Sequence, residues 1–150
     1  MKKILLIIAT LSLASCFSVP LESEKKSNFA KKFNTPIDGK SGLYVYRNSW
    51  VGQALKKDIW VDGKCLGESS SDVFFYKKIS GNTRHTISTE SEFSPNNLVI
   101  TTKPNENYFV RQYIKIGLFL GGAGVESIDS AKGMSDILKL KLAKNGNCSK

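Results

Sequence analysis

The chain has 150 residues, 41% of them hydrophobic and 10% aromatic, with 22 Lys+Arg against 13 Asp+Glu and a formal charge of +9. That profile excludes a disordered or fibrous chain and fits one globular domain with enough aromatic surface for a core. A basic balance admits two partner classes, nucleic acid and an anionic envelope surface, and location decides between them.

The N-terminal stretch MKKILLIIATLSLASC sets Lys2 and Lys3 before an apolar run from Ile4 to Leu13, followed by small residues. This layout predicts a secretory signal peptide over residues 1–15. The apolar run is about ten residues, half of the roughly 20 that a membrane-spanning helix needs. Its end, Leu13-Ala14-Ser15-Cys16, resembles the bacterial lipobox: an aliphatic residue, two small ones, then a cysteine. Small side chains let the backbone enter the signal peptidase, and the Cys16 sulfur takes up diacylglycerol. After cleavage the new amine of Cys16 is free to be acylated in turn, and several acyl chains anchor stably where one binds reversibly. The plainer alternative is a conventional cleaved signal that happens to contain a cysteine here. Asp after the cysteine favours retention at the inner membrane in such signals. Phe17 stands there instead, so the expected location is the outer membrane, facing the periplasm. Loss of Lys2 and Lys3 with the leader lowers the charge to about +7. An exported chain meets no nucleic acid, which leaves anionic envelope components as the partners of a basic surface.

Residues 16–38 are polar and lysine-rich with two prolines, and predict a flexible tether in which SNFAKKF makes a helical turn or two. From Gly39 onward short alternating runs are separated by Gly, Asn, Ser and Pro, the signature of an all-β domain over residues 39–150. Strands are expected near 42–47, 58–61, 64–67, 72–79, 84–90, 97–102, 107–116 and 137–142, with a short helix near 129–136. Such a count, about 7–9 strands, predicts an antiparallel two-sheet β-sandwich with hairpin connections. Period-2 counting puts Tyr108, Val110, Gln112, Ile114 and Ile116 on a core face. It leaves Phe109, Arg111, Tyr113 and Lys115 on the other, together with Tyr44 and Tyr46 of the first strand.

The run IWVDGKCLGES through VFFYKKISGNTRHTIST resembles a PEGA-type β-module: apolar strand, Asp-Gly turn, aromatic strand, Gly-x-x-x-His, alternating strand. More specifically, GLYVYR, STESEF, YFVRQYIKIGLFLGGAG and the lipobox together resemble a family of small prokaryotic lipoproteins catalogued only as a domain of unknown function. That likeness covers about Gly39 to Ala143. It implies an envelope-anchored β-sandwich and no catalytic residues, since none is established for the family.

His85 is the sole histidine, and spacing suggests no partners for a Ser–His–Asp relay or a zinc site, so a structural or surface residue is the plainer reading. Glu90 and Glu92 fall on one strand face, where two carboxylates serve acid–base chemistry or, more often, a solvated edge before the Ser94-Pro95-Asn96-Asn97 turn. The glycines of IGLFLGGAGV (116–125) fit neither a P-loop nor a Rossmann turn, and a buried strand ending in a glycine bend accounts better for them. No cofactor or metal is implied. Tyr44, Tyr46, Phe109, Arg111, Tyr113 and Lys115 form the one candidate binding face, where rings stack on sugars and cations meet anionic glycans or a protein. Its alternative is that the other sheet, the 129–136 helix or the tail covers these rings.

With Cys16 assigned to lipid, Cys65 and Cys148 remain, an even pair in an oxidising compartment. A type I′ turn at Asp62-Gly63 sets Trp60 opposite Cys65, pointing away from Ile59, Val61 and Leu66. A Cys65–Cys148 disulfide would pin the polar NGNCSK tail over that face. The expected function is therefore a non-catalytic envelope lipoprotein whose sandwich binds peptidoglycan, lipopolysaccharide or another envelope protein. Its alternatives are an accessory structural subunit of an envelope complex and a periplasmic hydrolase using His85, Glu90 or Glu92.

Overall fold

The computed structural model describes residues 18–91, 96–116 and 121–149. The described chain opens with helix α1 (Glu24–Ala30), capped by the Ser23 hydroxyl, and continues through β1 (Lys40–Arg47), β2 (Lys57–Val61) and β3 (Lys64–Ser69). Strands β4 (Val73–Ser80), β5 (Arg84–Thr89), β6 (Asn96–Thr101), β7 (Asn107–Lys115) and β8 (Gly122–Ile128) follow. Helix α2 (Ser130–Ile137) and the short β9 (Lys141–Leu142) complete the order. Asp129 starts α2, its carboxylate accepting the Ala131 and Lys132 amides, as N-cap chemistry requires.

Two sheets form the sandwich, one ordered β8-β7-β1-β4-β9 and the other β3-β2-β5-β6. Most pairs are antiparallel, as expected, but β1 runs parallel to β7 and β4 parallel to β9. The core between the sheets sets Leu43, Val45, Val73, Phe75, Ile79 and Val110 against Ile59, Val61, Leu66, Ile87 and Ile100. One polar chain crosses it: Ser69 Oγ donates to Gln112 Oε1, and Gln112 Nε2 to Thr89 Oγ1 at 2.6 Å. Sequence alternation placed Gln112 on this face, and a fully buried amide is tolerable there because its partners are met.

A second core lies on the outer face of the five-stranded sheet. Tyr44, Tyr46, Phe74 and Phe109 pack there beneath Ala30 of α1, Ile137 of α2, Leu140 and Leu142. The molecule is thus three layers, helices over sheet over sheet, and β1 is buried on both faces. Gly133 makes the close approach of α2 possible, because a Cβ there would sit 2.5 Å from Cγ of Phe109.

Four expectations change. Residues 18–38 are no free tether: Val19 is buried in the inter-sheet core, Leu21 bridges to Ala143, and Asn107 donates to the Phe33 carbonyl. Val19, Ala30 and Phe33 pack against the sandwich while Phe29 and Ile37 stay exposed, a division that the stretch's lysines conceal in the sequence. The strand expected at 137–142 is the end of α2 plus the two-residue β9. Ile116, expected in the core, is 92% exposed, just past the end of β7. The strand expected in 116–125 begins only at Gly122, and residues 117–120 lie outside the described residues.

Candidate functional site

The aromatic–cationic face does not assemble. Tyr44, Tyr46 and Phe109 are buried at 1%, 1% and 2% exposure beneath the helices. Tyr44 Oη donates to the Ala30 carbonyl at 2.9 Å and Tyr46 Oη to Asp136 at 2.8 Å, while Phe33 lies over both Tyr44 and Phe109. Burial, then the neighbouring phenol or the Asp136 carboxylate, pushes both Tyr44 and Tyr46 well above the ordinary tyrosine range. The other half of the set stays at the surface but is engaged: Arg111 pairs with Glu126, and Lys115 Nζ lies 5.8 Å from the Tyr113 ring centre. The physical reason is the outer helical layer, which turns half of a half-exposed sheet face into core.

Of the carboxylate pair, one member is described. Glu90 lies 3.6 Å from Lys57 Nζ, and Glu92 is outside the described residues. Among the described residues no group of three His, Cys, Asp or Glu side chains is placed to hold a metal ion.

His85 is buried and structural. Its Nδ1 meets Asp62 Oδ2 at 2.6 Å and its Nε2 meets the Ser80 carbonyl at 2.9 Å. The ring therefore ties the β2–β3 turn, in one sheet, to the end of β4 in the other, and Nε2 faces a carbonyl rather than a nucleophilic hydroxyl. Asp62 in turn accepts the Thr86 amide at 2.9 Å. Burial alone would raise the Asp62 carboxyl, but the hydrogen bonds from His85 and Thr86 and the nearby charges of His85 and Lys77 hold it below its ordinary value. Asp62 and Gly63 both take positive φ (53° and 72°), so the turn is the I′ form that their sequence predicts.

These residues form one wall of an open cavity of about 220 Å³. Val61, Ile79 and His85 make its buried floor; Lys40, Lys64, Lys77 and Lys78 rim it with Asp62 and Ser80. β1 supplies Lys40, the β2–β3 hairpin Lys64, and β4 the adjacent Lys77 and Lys78. None of these four lysines is ion-paired among the described residues. Asp62, the single acid on the rim, is already engaged by His85 and Thr86. Sequence reasoning missed this cluster because its lysines are ordinary solvated residues on three separate strands, and only the topology gathers them. Asp62-Gly63-Lys64 marked the turn without marking what it faces.

Cys65 and Cys148 are joined by a disulfide across a sequence separation of 83. Trp60 sits opposite Cys65 in register, as the hairpin geometry requires. The tail is held along its length: Gly146 N donates to the Leu66 carbonyl, Glu68 N to the Asn147 carbonyl, and Ser149 N and Oγ to the buried Asp58 carboxylate. Cys16, the expected lipidation site, lies outside the described residues.

The chain is 51% identical over 133 residues, 89% of its own length and 79% of the relative's, to an uncharacterized protein of Haemophilus influenzae. No solved structure matches it. A family model described as "Protein of unknown function (DUF2846)" matches residues 37–123, the first sheet strand through the start of β8. That match is to the family as a whole and not to a PEGA-type module. More than half of the chain falls within the model, and the chain belongs to this family of unknown function.

Proposed function

We propose that the protein is an exported, non-catalytic lipoprotein of the bacterial envelope, anchored through Cys16 at the outer membrane, whose sandwich binds an envelope component. The observation that carries the reading is the N-terminal pattern itself, Lys2-Lys3, the apolar run and Leu13-Ala14-Ser15-Cys16 in register. The Cys65–Cys148 disulfide supports it, because such bonds persist in oxidising compartments. The side chains that would serve hydrolysis support the non-catalytic part: both His85 nitrogens face structural partners, and Glu90 lies beside Lys57.

Metabolic labelling with an alkyne-bearing fatty acid tests the anchor. Wild-type protein is expected to carry the label in the membrane fraction, and Cys16→Ser to carry none. Equal labelling of the two proteins, or unlabelled wild-type, would remove the basis of this reading.

A further inference from the structure

We propose that the lysine-rimmed cavity receives the phosphate of an anionic lipid headgroup beside the point where the chain joins the membrane. The lipid source rests on the anchored reading above; the anion preference of the cavity does not.

Charge is the first argument. Lys40, Lys64, Lys77 and Lys78 line one concavity against a single acid, Asp62, whose oxygens are hydrogen-bonded to His85 and the Thr86 amide and whose charge is felt by Lys77, so four cations face one anion and the excess is positive. Unneutralised like charges repel one another, and concave low-dielectric walls focus the resulting field onto an incoming anion. Lysine serves phosphate as a compact point charge. The volume of about 220 Å³ equals roughly seven waters at about 30 Å³ each, room for a phosphate with part of its hydration.

Chain direction is the second. Leu21 pairs antiparallel with Ala143, Lys144 N donates to the Pro20 carbonyl, and Leu142 runs in parallel register with Phe74 of β4. Going back from Glu22 to Ser18, the chain therefore travels toward the end of β4 that carries Lys77 and Lys78. Val19 is buried in the core, and Cys16 stands three residues before it, so full extension puts the anchor within about 11 Å of Val19. An anchored domain thus lies against the bilayer with this edge of the sandwich nearest to it. Juxtamembrane lysines are each worth roughly fivefold in affinity for an anionic leaflet.

Amide NMR on the full-length protein in neutral detergent micelles tests the proposal. Doping the micelles with phosphatidylglycerol is expected to shift the Lys64, Lys77, Lys78 and Ser80 amides saturably, and phosphatidylcholine to leave them in place. The combined variant Lys64→Gln, Lys77→Gln, Lys78→Gln should weaken that response by about tenfold or more. A control with the same charge loss on the helical layer, Lys25→Gln, Lys32→Gln, Lys139→Gln, should weaken it by less than about threefold. Equal loss in both variants would reduce the effect to diffuse electrostatics and overturn the site, as would a phosphatidylglycerol titration that moves none of these amides. Inorganic phosphate is the third arm, expected to bind the same amides at least about tenfold more weakly than the lipid. If it binds as tightly, the lipid is not the source. The Cys16→Ser protein in the same micelles separates the two readings. A response retained there supports the cavity even where fatty-acid labelling has failed, and a lipidated protein without a response overturns the cavity while leaving the anchor intact.

Discussion

Asp62 carries two tasks through one carboxylate: it closes a hairpin whose positive φ it tolerates, and it fastens His85 across the gap between the sheets. Its folded carboxyl ionises below the ordinary value of 3.8. A depressed folded value means stability that is fully present above about pH 4 and lost as pH falls through the lower folded value. Asp136, held down by Lys132 and Tyr46 against the upward push of burial, adds in the same direction. Urea midpoints measured between pH 6 and pH 3 are therefore expected to fall below pH 4, and the fall to be smaller in His85→Gln. An unchanged acid slope in that variant would show that the His85 contact does not hold the Asp62 carboxyl down. From its isolation in the sequence His85 read as a structural or surface residue, and its burial decides for the first. Its partner was not legible, because Asp62 reads locally as a turn former and the contact spans 23 residues.

At the scale of the elements, the tightest fit is that of α2 on the outer sheet face. Alanine at position 133 would gain about 1 kcal/mol in helix propensity over glycine. The same Cβ would lie 2.5 Å from the Phe109 ring, at the ring's attachment rather than a flexible tip, and overpacking of that kind costs about 1–3 kcal/mol. Gly133→Ala is thus expected to lower stability by about 1 kcal/mol net in urea unfolding; a gain in stability would show that α2 rides clear of the sheet. The hairpins and most strands were readable from local alternation. The outer core was not, because period-2 counting sorts a strand into one buried and one open face. β1, central in a three-layer stack, has none open beyond Lys40. α1 is seven residues long, too short for a helical period to register against its lysines. β8 opens on Gly-Ala-Gly, which offers a single methyl group and so no alternation to read.

At the scale of the whole molecule, the Cys65–Cys148 bond spans 83 residues, and the chain-entropy account assigns about 4.5 kcal/mol to a loop of that size, with about 2–4 usual in practice. Reduction, or Cys65→Ser with Cys148→Ser, should lower the melting temperature by about 10 °C and speed exchange at the Gly146 and Glu68 amides that hold the tail. Matching melting curves before and after reduction would show that the tail stays bound without the bond. The cysteine pairing was legible because, once the sequence reading set Cys16 aside for lipid, Cys65 and Cys148 were the one pair left. The cationic cavity was not, since it exists only once β1, β4 and the β2–β3 turn meet. The pairing of Leu21 with Ala143 and of Glu22 with Leu142 closes the same edge with both ends of the chain. A polypeptide made from its N-terminus therefore has residues 20–22 waiting for its last ten residues, and this edge of the sandwich is not sealed until synthesis is finished. Synthesis and folding become ordered events: the opening segment stays unpaired until the final strand and cysteine arrive, and only then does the edge lock.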